Sequence, residues 1–299
     1  MQEAYVNING IRTKITTFGP WIEESIKPNE NIVVVIPGNP GINSFYDVFS
    51  RKIHEKLGYP VWVVGHAGHN IPEQSIDPLP TESDVYGLKG QVQHKLDFLK
   101  KYIPESATIH LIGHSIGSYM ILELLEDNFV QKKMSTTSLL FPTVEYMRET
   151  SNGIFMTSIV KHTVWLILFL SWIFTMLPGF IQNILLTVYC TIAKIPPHNK
   201  KSIIELINPE LLSRVFSLAM EEMDEVRERN NEAIRNNVGK IRFLYGATDG
   251  WAPEKYYNKI VGDVVGVKAE LSRGFNHAFV LRQSIPVAET VCNYIQSNN

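Results

Sequence analysis

Unbroken apolar runs alternate along the chain with stretches of helical spacing. Residues 31–36 (NIVVVI), 61–65 (VWVVG) and 108–113 (TIHLIG) are continuous and β-branched, the pattern of strands covered on both faces. Residues 138–141, 240–245 and 267–271 read the same way. Between them, residues 44–57, 84–102, 116–127, 253–261 and 285–296 repeat their apolar positions with a helical period. Strands separated by helices predict βαβ units, hence a mostly parallel central sheet with helices on both faces. Upstream, residues 4–17 alternate around Asn9-Gly10, a dipeptide suited to the positive φ angles of a type I′ turn. That segment predicts an antiparallel hairpin at one sheet edge. No internal repeat or low-complexity tract is present.

The alternation breaks between about residues 143 and 235. That region holds an uncharged stretch, residues 162–193, and then a helical pattern over 209–230 that is densely charged from Glu221 onward. An insertion between two core strands predicts a cap over the strand ends. The expected organisation is an α/β core of residues 1–142 and 236–299, with a mostly helical cap at 143–235.

Composition narrows the function classes. Of 299 residues, 44% are hydrophobic and 19% charged, which is enough for a sizeable core. The formal net charge is −2 and no basic stripe is visible, so nucleic-acid binding is not expected. Cys190 and Cys292 are the two cysteines, too few and too far apart for a disulfide framework or a cysteine-based zinc site. The first residues show no basic segment followed by an apolar one, and no Asn-x-Ser/Thr acceptor occurs. Both features suggest a reducing, intracellular compartment.

The strongest chemical signal is Gly113-His114-Ser115-Ile116-Gly117, between an apolar strand and a helical pattern. In that setting G-x-S-x-G predicts a nucleophile elbow, with Ser115 lifted above the sheet on a tight turn. Side chains two residues to either side would collide, hence Gly113 and Gly117. A serine hydroxyl needs a base, and the base needs a partner that fixes its tautomer. With the order Ser, acid, His, the candidates are Asp249, just past the strand at 240–245, and His277, in the loop before the last helix. Glu145 is a competing acid. Backbone N–H groups of Asn39, in the loop Pro37-Gly38-Asn39-Pro40-Gly41, and of Ile116 are expected to form an oxyanion hole. The scheme calls for no metal and no organic cofactor.

On these motifs the chain resembles the lipid droplet-associated hydrolase family, a divergent branch of the α/β-hydrolase superfamily. VVVIPGNPGINSFYDVF, LIGHSIGSYM, LLFPT, LYGATDGWAP and NHAFV stand where that family carries them. The resemblance implies an α/β-hydrolase fold and serine hydrolase chemistry through Ser115, Asp249 and His277. It also implies residence on lipid droplets and the endoplasmic reticulum, and a role in sterol-ester and neutral-lipid turnover. Two alternatives share these residues: a droplet-surface scaffold with little turnover, and an acyltransferase.

The uncharged stretch bears on location. Residues 163–177 and 180–193 flank Pro178-Gly179, and Lys161 and Lys194 bracket the pair. Each half, about 15 residues or roughly 22 Å as a helix, is short against about 30 Å of bilayer hydrocarbon. A hairpin that enters and leaves on the cytosolic face satisfies both lengths and suits a droplet monolayer or a membrane leaflet. Trp165, Trp172 and Tyr189 are candidate interfacial anchors. The alternative is an apolar lid folded over the active site. Three further signals carry little weight: His66-x-x-His69 as a metal site, the charged run 221–232 beyond a solvated helix face, and Cys190 beyond packing.

Overall fold

A computed structural model describes residues 1–24, 30–69 and 85–297. The hairpin forms as expected: β1 (Gln2–Ile8) and β2 (Ile11–Phe18) pair antiparallel across Asn9-Gly10, whose φ angles are 51° and 83°. Then follow β3 (Asn31–Ile36), α1 (Asp47–Leu57) and β4 (Val61–Val64). Next come α2 (Leu88–Tyr102), β5 (Thr108–His114), α3 (Ile116–Leu124), α4 (Asn128–Lys133) and β6 (Met134–Leu140). Residue 84, the expected start of α2, lies outside the described residues.

Between β6 and the next strand the chain is helical: α5 (Ser151–Phe155), α6 (Lys161–Met176), α7 (Gly179–Ile192), α8 (Lys200–Leu206), α9 (Pro209–Glu225) and α10 (Asn231–Asn236). It closes with β7 (Ile241–Gly246), α11 (Glu254–Asp263), β8 (Lys268–Ser272) and α12 (Ser284–Gln296). The strands order as β1-β2-β4-β3-β5-β6-β7-β8, and every pairing from β4 to β8 is parallel.

The apolar runs are unbroken because both faces of the sheet are covered. Ile32, Val34 and Ile36 of β3 pack into the core beneath α2 and α3, while Val33 and Val35 pack beneath α1 and α12. Side chains alternate across a strand, so one run feeds two cores. β6 begins four residues earlier than its apolar pattern predicts. Thr136 in its more polar first half is buried and satisfied from the neighbouring strand, with His110 Nδ1 2.7 Å from Thr136 Oγ1.

Two expectations about the inserted helices need correction. α6 does not start at the charge boundary: a π-helical turn at Met156–Val160 joins α5 to it, giving one helix from Ser151 to Met176. At about 1.5 Å per residue its 26 residues reach roughly 39 Å, well beyond the expected half-hairpin. The charged run 221–232 is a solvated face only in part, with Asp224, Glu225, Arg227, Glu228 and Glu232 exposed. α9 ends at Glu225, and Glu222 and Arg229 are buried. Glu222 shares the inward face of α9 with Leu211, Leu218 and Ala219, and position along the helix decides burial over residue type.

Candidate active site

β5 is central, and its carboxyl end turns directly into α3. Ser115 sits on that turn with φ 53° and ψ −121°, a conformation that costs an L-residue on the order of 1–3 kcal/mol. Two glycines permit it. A Cβ at Gly113 would lie 2.7 Å from Gly117 O, and one at Gly117 would strike the Ile36 and Pro37 carbonyls. The loop after β3 crosses so close that a Cβ at Gly38 would lie 2.9 Å from Ser115 Cβ.

Asp249 follows β7 and His277 follows β8, so three strand ends deliver three side chains to one place. His277 Nε2 lies 2.9 Å from Ser115 Oγ, and His277 Nδ1 lies 2.7 Å from Asp249 Oδ2. The other Asp249 oxygen accepts from the N–H groups of Trp251 and Ala252 at 2.7 and 3.1 Å. Burial pushes the Asp249 carboxyl upward, but the His277 hydrogen bond, the His277 charge and the two N–H donors outweigh it and hold the group below its usual range. An ionised Asp249 only accepts, so the proton of neutral His277 resides on Nδ1. The Nε2 lone pair then faces the serine hydroxyl.

A second chain of hydrogen bonds, which the sequence did not suggest, ties these parts together. His114 Nε2 lies 2.9 Å from the His277 carbonyl, which can only accept, so Nε2 carries the proton. His114 Nδ1, 2.6 Å from Tyr46 Oη, therefore accepts from Tyr46. Tyr46 Oη in turn accepts from Gly38 N–H at 2.8 Å. Burial holds His114 down to about 3, with His277 adding to the effect, so this chain keeps its direction at neutral pH. It fixes the loop before Asn39, the elbow and the histidine loop as one unit. G-x-S-x-G leaves its second residue open, and Tyr46 is 68 positions away, so only the fold reveals the pair.

The remaining candidates fall into place around this centre. Asn39 lines a cavity of about 350 Å³ that also holds Ser115 and His277. Ile116 is the first residue of α3, where a helix leaves its N–H groups without intrahelical partners. Glu145, the competing acid, lies fully buried between Arg229 and Lys259, with Lys259 Nζ at 2.6 Å, and makes no bond to His277. His66 and His69 are buried behind the Asn39 loop, and His69 Nδ1 bonds to Pro40 O at 2.7 Å. No group of three or more His, Cys, Asp or Glu suited to a metal exists among the described residues.

The apolar helices present a different surface. Trp165, Trp172 and Tyr189 are exposed by 69%, 47% and 53%, and Pro178 and Gly179 sit at the exposed tip. The opposite face is docked: Leu186 and Cys190 are buried, and Ser171 Oγ donates to Ile207 O. No residue of 161–194 lines the cavity, which disfavours a lid lying over it. Met156 and Leu206 do line it, so the apolar pair leaves the body beside the cavity and returns there.

Comparison with known proteins agrees with this construction. Solved structures of similar fold include a haloalkane dehalogenase from Agrobacterium tumefaciens (TM-score 0.67, 10% identity, 100% of this chain and 97% of that one). Another is an esterase from Exiguobacterium antarcticum (TM-score 0.64, 14% identity, 97% of each chain). At those identities they establish the α/β-hydrolase fold alone. Among sequence relatives, the lipid droplet-associated hydrolase of Drosophila melanogaster is 42% identical over 306 residues, covering 100% of this chain and 99% of that protein. That of Mus musculus is 30% identical, covering 99% and 95%. The lipid-droplet associated hydrolase family model matches residues 29–280, and the chain belongs to that family.

Proposed function

We propose that the protein is a serine hydrolase that cleaves lipid esters, acylglycerols or sterol esters, at the surface of lipid droplets and on the cytosolic face of the endoplasmic reticulum. The observation that carries the reading is the continuous hydrogen-bonded row Asp249–His277–Ser115 at the floor of an apolar cavity. Ser115 attacks the ester carbonyl while His277 Nε2 takes its proton. The oxyanion forms against the N–H groups of Asn39 and Ile116, worth about 3 kcal/mol each in such sites. His277 then protonates the departing alcohol, and water releases the acyl group by the same route. No resident cofactor enters this scheme. The helical segment 143–235 acts as the cap, with α9 forming one cavity wall. Covalent labelling of Ser115 by a fluorophosphonate, and turnover of acyl esters by the purified protein, test the reading.

Tyr46 positions the machinery without touching substrate chemistry. Tyr46→Phe strands the Gly38 N–H and the His114 ring nitrogen in a buried site, at about 1–3 kcal/mol for each unpaired group. The expected result is a tenfold or larger loss in kcat with KM changed less than twofold. A proportional change in both would place Tyr46 in substrate binding instead.

The exposed apolar helices supply the lipid contact. Scattered exposed apolar residues are ordinary, but a contiguous patch of this extent marks an interaction surface. A hairpin with its tip at Pro178-Gly179 enters and leaves by one side, which suits a monolayer over oil. Replacing Trp165, Phe169, Trp172 and Phe180 with lysine should move the protein from the floating fraction of a phospholipid-coated triolein emulsion to the aqueous phase. Unchanged flotation would remove the hairpin from this role.

A further inference from the structure

Six polar side chains line the cavity above Ser115. Ser115 bonds to His277, and Tyr46 bonds to His114. Asn39 and Glu222 remain. Glu222 lies on the cavity face of α9, three positions along from Ala219 and seven from Val215, where an apolar residue would continue the lining. Burying an acid there is costly unless it is partnered.

Its partners are few. Glu222 is 4% exposed and pairs with no Lys, Arg or His among the described residues. Oε1 accepts from Asn39 Nδ2 at 3.0 Å. The same amide nitrogen donates to Val215 O at 2.9 Å, which fixes the amide's orientation because a carbonyl only accepts. Asn39 Oδ1 is left buried without a hydrogen-bond partner. Burial raises the Glu222 carboxyl to about 8, with the Asn39 bond opposing and Glu221 adding to the rise. The group is therefore an uncharged acid at neutral pH, offering one donor and one acceptor within an otherwise apolar wall.

Resting on the hydrolase reading above, we propose that Glu222 is a subsite for a free hydroxyl on the alcohol part of the ester. The substrates it selects are partial esters, such as acylglycerols that retain a hydroxyl, over fully esterified or hydroxyl-free ones. A hydroxyl accepts from the acid O–H and donates to its carbonyl oxygen, matching the group in both senses. A cation would demand the ionised form, which this setting opposes. A site built to hydrogen-bond a hydroxyl also rejects the analogue without one, because its own buried polar group is then left unpaired.

The test is binding to a Ser115→Ala protein, where nothing turns over. A monoalkylglycerol ether and its di-O-methyl counterpart of equal chain length are titrated while tryptophan fluorescence is followed, Trp251 lining the cavity. The free-hydroxyl ether should bind at least tenfold tighter. Glu222→Leu in the same background should collapse that ratio to within about twofold, and Glu222→Gln, which keeps a donor and an acceptor, should preserve it. Should the leucine variant fail to fold, Glu222→Ala carries the comparison. Equal binding of the two ethers, binding of neither, or a ratio untouched by losing the carboxyl overturns the proposal and reduces Glu222 to a clamp on Asn39. Failure of the hydrolase reading looks different: hydroxyl-dependent binding persists while Ser115 in the wild-type protein takes no fluorophosphonate.

Discussion

Alanine at Ser115 or His277 is expected to lower ester turnover by about 10⁴-fold or more and to abolish fluorophosphonate labelling, while leaving the fold intact. The size follows from the geometry. Nε2 of His277, 2.9 Å from the hydroxyl, is the one base that contacts it among the described residues, and without it the serine stays a weak alcohol. Asp249→Asn is the sharper test because it preserves shape. An amide NH₂ facing Nδ1 would donate where the carboxylate accepts, moving the imidazole proton to Nε2 and leaving no lone pair for Ser115. A loss near 10⁴-fold is expected from that reversal alone. Turnover undiminished in Ser115→Ala would transfer the activity to other residues, whereas a wild-type protein that turns over no ester would leave the droplet-surface scaffold as the better account. Folding is checked by flotation and by the thermal midpoint, neither of which depends on the triad.

How much of this could be read from the sequence depends on distance along the chain. The elbow was legible because it is local: five residues, two of them glycine, placed where β5 meets α3. Asp249 and His277 were legible through order, each just past a strand. Choosing between Asp249 and Glu145 needed the fold, since both follow strands; Arg229 and Lys259 decide it by occupying Glu145. The Tyr46–His114 pair was not legible, as each half looks unremarkable alone. Glu222 was misjudged for the opposite reason. Its acidic neighbours suggested solvent, but the turn of α9 points it inward while Glu225 faces out.

The apolar pair shows a similar split. Lack of charge located it, and Pro178-Gly179 located its tip, because both are compositional. Its true length was hidden: nothing at Lys161 breaks the helix, and the π turn before it passes the axis through to Ser151. The long helix starts beside Met156 at the cavity and carries exposed tryptophans beyond it. On the proposed reading, lipid contact and cavity mouth would be mechanically joined, giving an ester leaving a lipid surface a short path to Ser115.

Acidification is expected to destabilise the fold steeply between pH 6 and 4.5. Burial holds five histidines below the usual range: His66 and His94 well below it, His69 and His110 at about 4, and His114 at about 3. Lys95 adds to the effect at His66, His69 and His94. Above pH 6.5 these groups are neutral whether the chain is folded or not, and they contribute nothing to the pH dependence. As pH falls through 6.5 the unfolded chain takes up protons that the folded one refuses, so unfolding gains up to about 1.4 kcal/mol per pH unit for each group. Acids with raised values work in the opposite sense, because the folded form binds their protons first. Glu222 at about 8 and Asp47 at about 6 do this, and Glu123, also raised, adds to it. Two histidines' worth of slope survives that opposition, about 3 kcal/mol per pH unit, against a total stability on the order of 5–15 kcal/mol. The thermal midpoint should therefore drop by on the order of 5–10 °C per pH unit across this window. His110→Gln, which keeps a hydrogen-bonding side chain beside Thr136, should reduce the slope by about one group's share. A midpoint that stays level from pH 7 to 4.5 would mean these imidazoles accept protons in the folded protein, and that the neutral His114 holding the Gly38 loop through Tyr46 does not exist.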